Sequence, residues 1–289
     1  MTSSKRFTSN AAERSRVPIP TFLYGTAWKE ERTAHLTRLA IEAGFRGIDT
    51  ANQRRHYFEQ GVGDALEELS RDGRLTRKDL FVQTKFTYAS GQDHRLPYDP
   101  QADFRTQVRQ SFASSLQHLR TDYVDSYILH GPSVARGLSD ADYAVWKEME
   151  ALCRDNKTRF IGVSNVNVGQ LRVLVTAAEI PPRFVQNRCF AATYWDRDMR
   201  EFCAAHNIIY QGFSLLTANP QVLGEPGVIN IAKRYRKSVA QVVFRFAQQV
   251  GILPLTGTTD SSHLREDLDS STFLLAEGEV SLIEASGAK

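Results

Sequence analysis

No stretch of this 289-residue chain stays apolar for the roughly 20 residues that a membrane-spanning helix needs. Cysteine is scarce as well. Cys153, Cys189 and Cys203 are odd in number and lack metal-type spacing, so reduced, cytosolic thiols are expected rather than a disulfide framework or a metal site. Charge of one sign is not in excess: the net charge of +3 is too small to point to nucleic acid or to an acidic membrane. No Gly-x-Gly-x-x-Gly follows any apolar strand, which weakens the case for an open doubly wound sheet. The first sixteen residues, MTSSKRFTSNAAERSR, lack the apolar run of a secretory signal. A disordered tail over 1–16 is expected, with a Ser- and Arg-rich transit peptide as the alternative.

What the chain has is alternation. A hydrophobic share of 42% and a charged share of 24% suit a globular core. From Pro18 onward, short apolar runs alternate with segments of helical period. The strands are expected in PTFLYGTA, at Phe45 to Ile48, and in DLFVQTKF, YVDSYILH, TRFIGVSN, RFVQNRCF, IIYQGFS and ILPLTG. Helices are expected at Glu30 to Ala43, from Val62 to a break at Asp72-Gly73, and from Phe104 to Leu119. Further ones follow at Ser139 to Asn156, Val168 to Glu179, Asp196 to His206, and Val228 to Val250 with a break near Ser238, and a last one opens over Ser261 to Leu268. Eight strands alternating with eight helical segments must pair in parallel through crossovers, and eight can close. The expected fold is a single-domain (β/α)8 TIM barrel over 17–289.

In such a barrel the carboxyl ends of all strands face one side, where active sites lie. Three successive strands present an ionisable group at that end: Asp49, Lys85 and His130. Tyr57 sits in the loop after the first of them, in GFRGIDTANQRRHY. A carboxylate at the end of an apolar strand needs a cation, and Lys85 is on offer. A buried ammonium beside a phenol would lower its pKa, and a histidine could hydrogen-bond a carbonyl oxygen. Taken singly, Asp49 and Lys85 read as a structural ion pair, and His130 and Tyr57 as ordinary packing. Their joint placement favours function, and with no evident nucleophile the chemistry that fits is carbonyl reduction by an external hydride donor.

GIDTA followed by a Tyr, VQTKF, YVDSYILHGP and FIGVSN resemble, in order, the motifs of the aldo-keto reductases, and the likeness runs from Val17 to Asp267. The resemblance implies a barrel that binds NADPH in extended form, with NADH possible. It implies a catalytic tetrad of Asp49, Tyr57, Lys85 and His130, with Tyr57 as proton donor and Asp49 also near the cofactor. Ser164, Asn165 and Gln186 would hold the carboxamide, Phe213 would stack on the nicotinamide, and Ser214, Leu215, Thr26 and Ala27 would line the cofactor. Trp28, His56 and Phe86 would face a small-molecule carbonyl substrate. A cytoplasmic monomer is expected, with no nucleic-acid, membrane or metal partner.

The chain departs from the family pattern in three places. Arg54 occupies the usual Tyr position of Asp-x-Ala-x-x-Tyr, and Tyr57 lies three residues on, which leaves His56 as a rival donor. The usual Lys-Ser…Arg reading of the 2′-phosphate is replaced by Thr258, Thr259, His263, Arg265 and Asp267, with Arg265 and His263 as the basic candidates. The segment after the last expected helix is short, so the substrate pocket should be open and suited to bulky or varied substrates. Two other functions stay open: a nucleotide-binding regulatory subunit, as the potassium-channel β-subunits of this family are, and a Schiff-base lyase using Lys85. The carboxylate beside that lysine would keep it protonated and weakens the second.

Overall fold

The computed structural model describes residues 18–288. The tail expected over 1–16 lies outside the described residues. Eight parallel strands close in chain order: β1 (Leu23–Gly25), β2 (Gly47–Asp49), β3 (Phe81–Phe86), β4 (Val124–Leu129), β5 (Thr158–Ser164), β6 (Phe184–Arg188), β7 (Ile209–Phe213) and β8 (Ile252–Thr256). β8 pairs with β1 through Leu23 opposite Leu255 and Tyr24 opposite Thr256, which completes the barrel. Every expected strand is present, each one to five residues shorter than its apolar run, with β2 reaching one residue further, to Asp49.

The pleat decides which side chains enter the barrel, because successive residues of a strand face opposite ways. On β3, Phe81 packs inside with Leu23, Ile128, Phe184 and Leu253, whereas Val82 and Phe86 join the outer core under the helices. The same alternation sends Gln83 and Lys85 inward. Above the apolar plug sits a polar layer of Asp49, Gln83, Gln186 and Gln211, all buried. Such a layer is tolerable only if its polar groups find partners. Gln83 Nε2 donates to Asp49 Oδ1 at 2.7 Å and to Gln211 Oε1 at 2.8 Å, and Gln211 Nε2 donates to Gln83 Oε1 at 3.0 Å.

The helices follow their caps. Ser139 and Ser238 each form a capping box, opening Asp140–Arg154 and Val239–Gln249, and Asp103 caps Phe104–His118. Gly44, at φ 122°, ends Thr33–Ala43 and turns the chain into β2; a side chain at that φ would be strained. The helix expected from Glu30 opens instead as a 3-10 turn over Glu30–Arg32. Two helices were not expected, Pro220–Leu223 and Glu277–Ala285. The latter packs on the barrel flank: Ile283 O accepts from Trp195 Nε1 at 3.1 Å, and Glu284 pairs with Arg197 and Arg200. Cys153, Cys189 and Cys203 are free thiols. No helix among the described residues is long and apolar enough to cross a membrane.

Candidate active site

A cavity of about 790 Å³ opens at the carboxyl ends of the strands, running from the Asp49, Tyr57 and His130 side across to the loop after β8. Asp49 ends β2, and both its oxygens are engaged. Lys85 Nζ lies 2.7 Å from Oδ1 and 2.8 Å from Oδ2, and donates also to Thr50 O at 2.8 Å. Gln186 Nε2 adds a hydrogen bond to Oδ1 at 3.0 Å. Lys85 is wholly buried beneath this carboxylate. Burial lowers its pKa, and the charge and hydrogen bonds of Asp49 work against that.

The loop that follows settles where Arg54 and Tyr57 go. The backbone N–H groups of His56 and Tyr57 both donate to Gln53 O, at 3.2 and 2.9 Å, forming one turn of helix-like chain. Arg54 leaves that turn outward, pairing with Glu30 at 2.7 Å and lying over the Phe58 ring. Tyr57 leaves it inward. Its ring centre is 5.1 Å from Lys85 Nζ and 6.0 Å from the His130 ring. His56 also reaches the cavity, but nearer the rim, with its ring 4.0 Å from that of the exposed Trp28.

Electrostatics differ from the expectation at Tyr57. Burial, helped by the negative charge of Asp49, pushes its hydroxyl well above the ordinary tyrosine range rather than below it. The phenol is therefore fully protonated at neutral pH. His130 is pulled down to about 3 by burial and by the Lys85 cation, so its imidazole is neutral. Its Nδ1 sits 2.7 Å from Thr87 Oγ1, which leaves Nε2 as the ring nitrogen available to the cavity. Thr87 was not singled out from the sequence. Its position two residues past Lys85, just beyond the end of β3, was the available signal.

Ser164, Asn165 and Gln186 line the cavity beside this group. Ser164 Oγ donates to Gln186 O at 2.6 Å, and Asn165 Nδ2 to His130 O at 2.8 Å. Phe213, Ser214 and Leu215 form the next wall, and Ala27, Trp28, Thr258, Thr259, His263 and Asp267 continue it. Thr26 stays behind the lining, its hydroxyl donating to Asp49 O at 3.0 Å.

Two expected residues fall elsewhere. Phe86 is fully buried on the helix side of β3, against Tyr88 and Tyr98, because inward Lys85 forces its neighbour outward. It cannot meet a substrate. Arg265 is exposed on Ser261–Asp269 and does not line the cavity; Glu266 and Asp267 do. Burial pushes Asp267 up to about 6, and it accepts from Thr256 Oγ1 at 2.8 Å.

Two cations were missed. Lys29 is buried at the far end, donating to Gly257 O at 2.7 Å, with its pKa lowered to about 8 mainly by burial. Arg188, at the end of β6, lines the wall beside Phe213. Both stand at the carboxyl side of strands, which marks them in retrospect.

Comparison with known proteins agrees with this geometry. The family description "Aldo/keto reductase family" matches residues 21–219. Uncharacterized oxidoreductase YtbE of Bacillus subtilis (strain 168) is 30% identical over 279 residues, covering 96% of this chain and 92% of that protein. The glyoxal reductase of the same organism is 29% identical over 248 residues, covering 86% of this chain and 81% of that protein. Among solved structures, a Bombyx mori aldo-keto reductase in complex with NADP superposes with a TM-score of 0.79 at 27% identity, covering 93% of this chain and 90% of the other. With a closed eightfold barrel, a family match over more than half its length and a relative aligned nearly end to end, this chain is an oxidoreductase that belongs to the aldo/keto reductase family.

Proposed function

We propose that the chain reduces an aldehyde or ketone to an alcohol at the expense of NADPH, with Tyr57 as the proton donor. The observation that carries this reading is the convergence of Asp49, Lys85, Tyr57 and His130 on one end of a long cavity. The residues along that cavity fit a nicotinamide nucleotide. Ser164, Asn165 and Gln186 offer amide and hydroxyl groups beside the catalytic cluster, Phe213 offers a flat ring, and Lys29 offers a buried ammonium for a phosphate. A relative described as a glyoxal reductase and a similar structure solved with NADP support the same direction.

When bound, the nicotinamide supplies the hydride. The protein supplies the rest. Neutral His130, held at Nδ1 by Thr87, presents Nε2 to the carbonyl oxygen and orients it. Protonated Tyr57 gives its proton to the same oxygen as negative charge builds there. The Lys85 cation beneath the Tyr57 ring, held in place by Asp49, stabilises the phenolate left behind. His56 is the poorer candidate here, because burial and Arg55 lower its pKa and so deplete its protonated form, and it stands with Trp28 at the rim.

At the adenosine end, His263 is the basic side chain in the lining beside the acids Glu266 and Asp267, so NADPH is favoured by a narrow margin and NADH is also accepted. The test is to titrate both nucleotides by fluorescence and then follow NADPH oxidation with a panel of aldehydes, ketones and quinones. Binding with turnover is expected. Binding without turnover of any carbonyl would move the chain to the regulatory-subunit reading, and no binding of either nucleotide would remove the oxidoreductase chemistry.

A further inference from the structure

Arg188 is the one guanidinium that lines the cavity among the described residues, and nothing in the reduction chemistry above uses it. Its place follows from the pleat. Phe184, Gln186 and Arg188 alternate inward along β6: Phe184 packs in the barrel plug and Gln186 bonds to Asp49. Arg188 therefore stands one pleat above Gln186, roughly 7 Å nearer the cavity mouth. It is opposite Phe213 in the strand register, and its guanidinium lies over that ring at 5.6 Å.

That contact takes up no N–H donor, and the five donors of a guanidinium can serve a planar anion. Among the described residues Arg188 makes no ion pair and no side-chain hydrogen bond. Of the acids lining the adjoining groove, Asp196 already accepts from Tyr210 Oη at 2.9 Å and from Asn187 Nδ2 at 3.4 Å. The other cations of the cavity are spoken for or distant. Lys29 is tied to Gly257 at the far end, and the pKa of His56 is lowered. The acids in the lining are Asp49, which is paired with Lys85, and Glu266 and Asp267 in the segment after β8.

Besides the buried Lys85, which is paired with Asp49, the cavity lining thus carries one guanidinium with no ion-pair partner among the described residues, at a mouth that also opens into a neighbouring groove between the loops after β4, β5 and β6. We propose that Arg188 selects carbonyl substrates that carry a carboxylate, seating the anion on its N–H edge while the carbonyl reaches Tyr57 and His130. A single guanidinium in the cavity lining matches a planar monoanion, which it can grip bidentately, better than a dianionic phosphate. This inference rests on the reductase reading and sharpens it to a substrate class: aldehydes and ketones of the oxo-acid type.

A pair of nearly isosteric probes separates charge from shape: 4-carboxybenzaldehyde and 4-nitrobenzaldehyde, each reduced by the full-length protein with saturating NADPH. Comparing the ratio of their kcat/KM values between wild type and variant cancels their different intrinsic reactivities. In Arg188→Gln the value for the carboxylate should fall about tenfold, mostly through KM, because an anchor remote from the reacting carbon contributes uniform binding. The nitro compound should change less than about twofold, Arg188→Lys should recover part of the loss, and the preference should shrink as salt rises.

Equal losses for both probes, or a weakened NADPH affinity in Arg188→Gln, would show that Arg188 serves Phe213 and the cofactor instead, and would overturn the proposal. So would an unchanged ratio. Reduction of other carbonyls but of neither probe would overturn this inference alone, whereas NADPH binding with no carbonyl of the wider panel reduced would overturn the reductase reading and this inference with it.

Discussion

Thr87 Oγ1 and His130 Nδ1 stand 2.7 Å apart, 43 positions distant in the chain, and this contact fixes the imidazole that faces the cavity. A neutral histidine has one donor and one acceptor nitrogen, and the Thr87 hydroxyl can donate to Nδ1 so that Nε2 carries the proton. Thr87→Val should remove that preference. A hydrogen bond of this kind is worth on the order of 1 kcal/mol, so kcat should fall about three- to tenfold while NADPH affinity holds. Thr87→Ser should keep both the rate and the ring-nitrogen NMR signature of the Nε2–H tautomer; an unchanged kcat in the Val variant would deny Thr87 this positioning role.

Tyr57→Phe and His56→Gln decide the proton donor. Loss of the true donor should lower kcat by roughly a hundredfold or more with little effect on nucleotide binding. The Tyr57 variant is expected to collapse and the His56 variant to stay within a few-fold, since His56 is engaged with Trp28 at the rim. The reverse pattern would transfer the role to His56.

Nucleotide affinity should depend on pH through Lys29. Burial holds its pKa near 8, so the ammonium gives way to the neutral amine above that value. A phosphate favours the ammonium. Binding above about pH 8 must then take up a proton, and affinity should fall by up to about tenfold per pH unit beyond it. Lys29→Met should bind NADPH more weakly at neutral pH and show no decline over that window. A wild-type profile that is flat from neutral to alkaline pH would separate Lys29 from the phosphates.

Cofactor preference should ignore Arg265 and respond to Asp267. Arg265 is exposed and outside the lining, so Arg265→Ala is expected to leave both nucleotide affinities unchanged. Asp267, raised to about 6, is mostly ionised at neutral pH and would repel a 2′-phosphate bound beside it. Its raised value means the protonated form is favoured in the fold, so the repulsion fades as pH falls through about 6. The NADPH-to-NADH affinity ratio should rise over that fall in wild type and be higher and flat in Asp267→Asn. Competitive titrations across the acidic range would show it, and an equal ratio in the two proteins would place the 2′-phosphate elsewhere.

The eight strands and the side on which Asp49, Lys85 and His130 emerge were legible from periodicity alone, because an apolar strand ending in an ionisable residue is a local pattern. Phe86 was expected to face the substrate, although Lys85 inward and Phe86 inward are incompatible on one pleated strand, and the structure puts Phe86 in the outer core. Helix Glu277–Ala285 was harder to see: Val280 and Ile283 are its apolar contacts with the core, a pattern too sparse to stand out.

Other features were set by tertiary structure. The choice between Arg54 and Tyr57 rests on one turn at Gln53 and on Glu30, which draws Arg54 outward. The phase of Ser261–Asp269, which turns Asp267 inward and Arg265 outward, is set by its Asp260 cap and by the seating of Leu264 in the core. Lys29 meets Gly257 across 228 positions of chain only because β8 closes on β1. The sequence by itself determined the barrel and the residue types at its rim. Closure of the barrel alone decided which of them share one low-dielectric cavity, where burial holds Tyr57 protonated and His130 neutral.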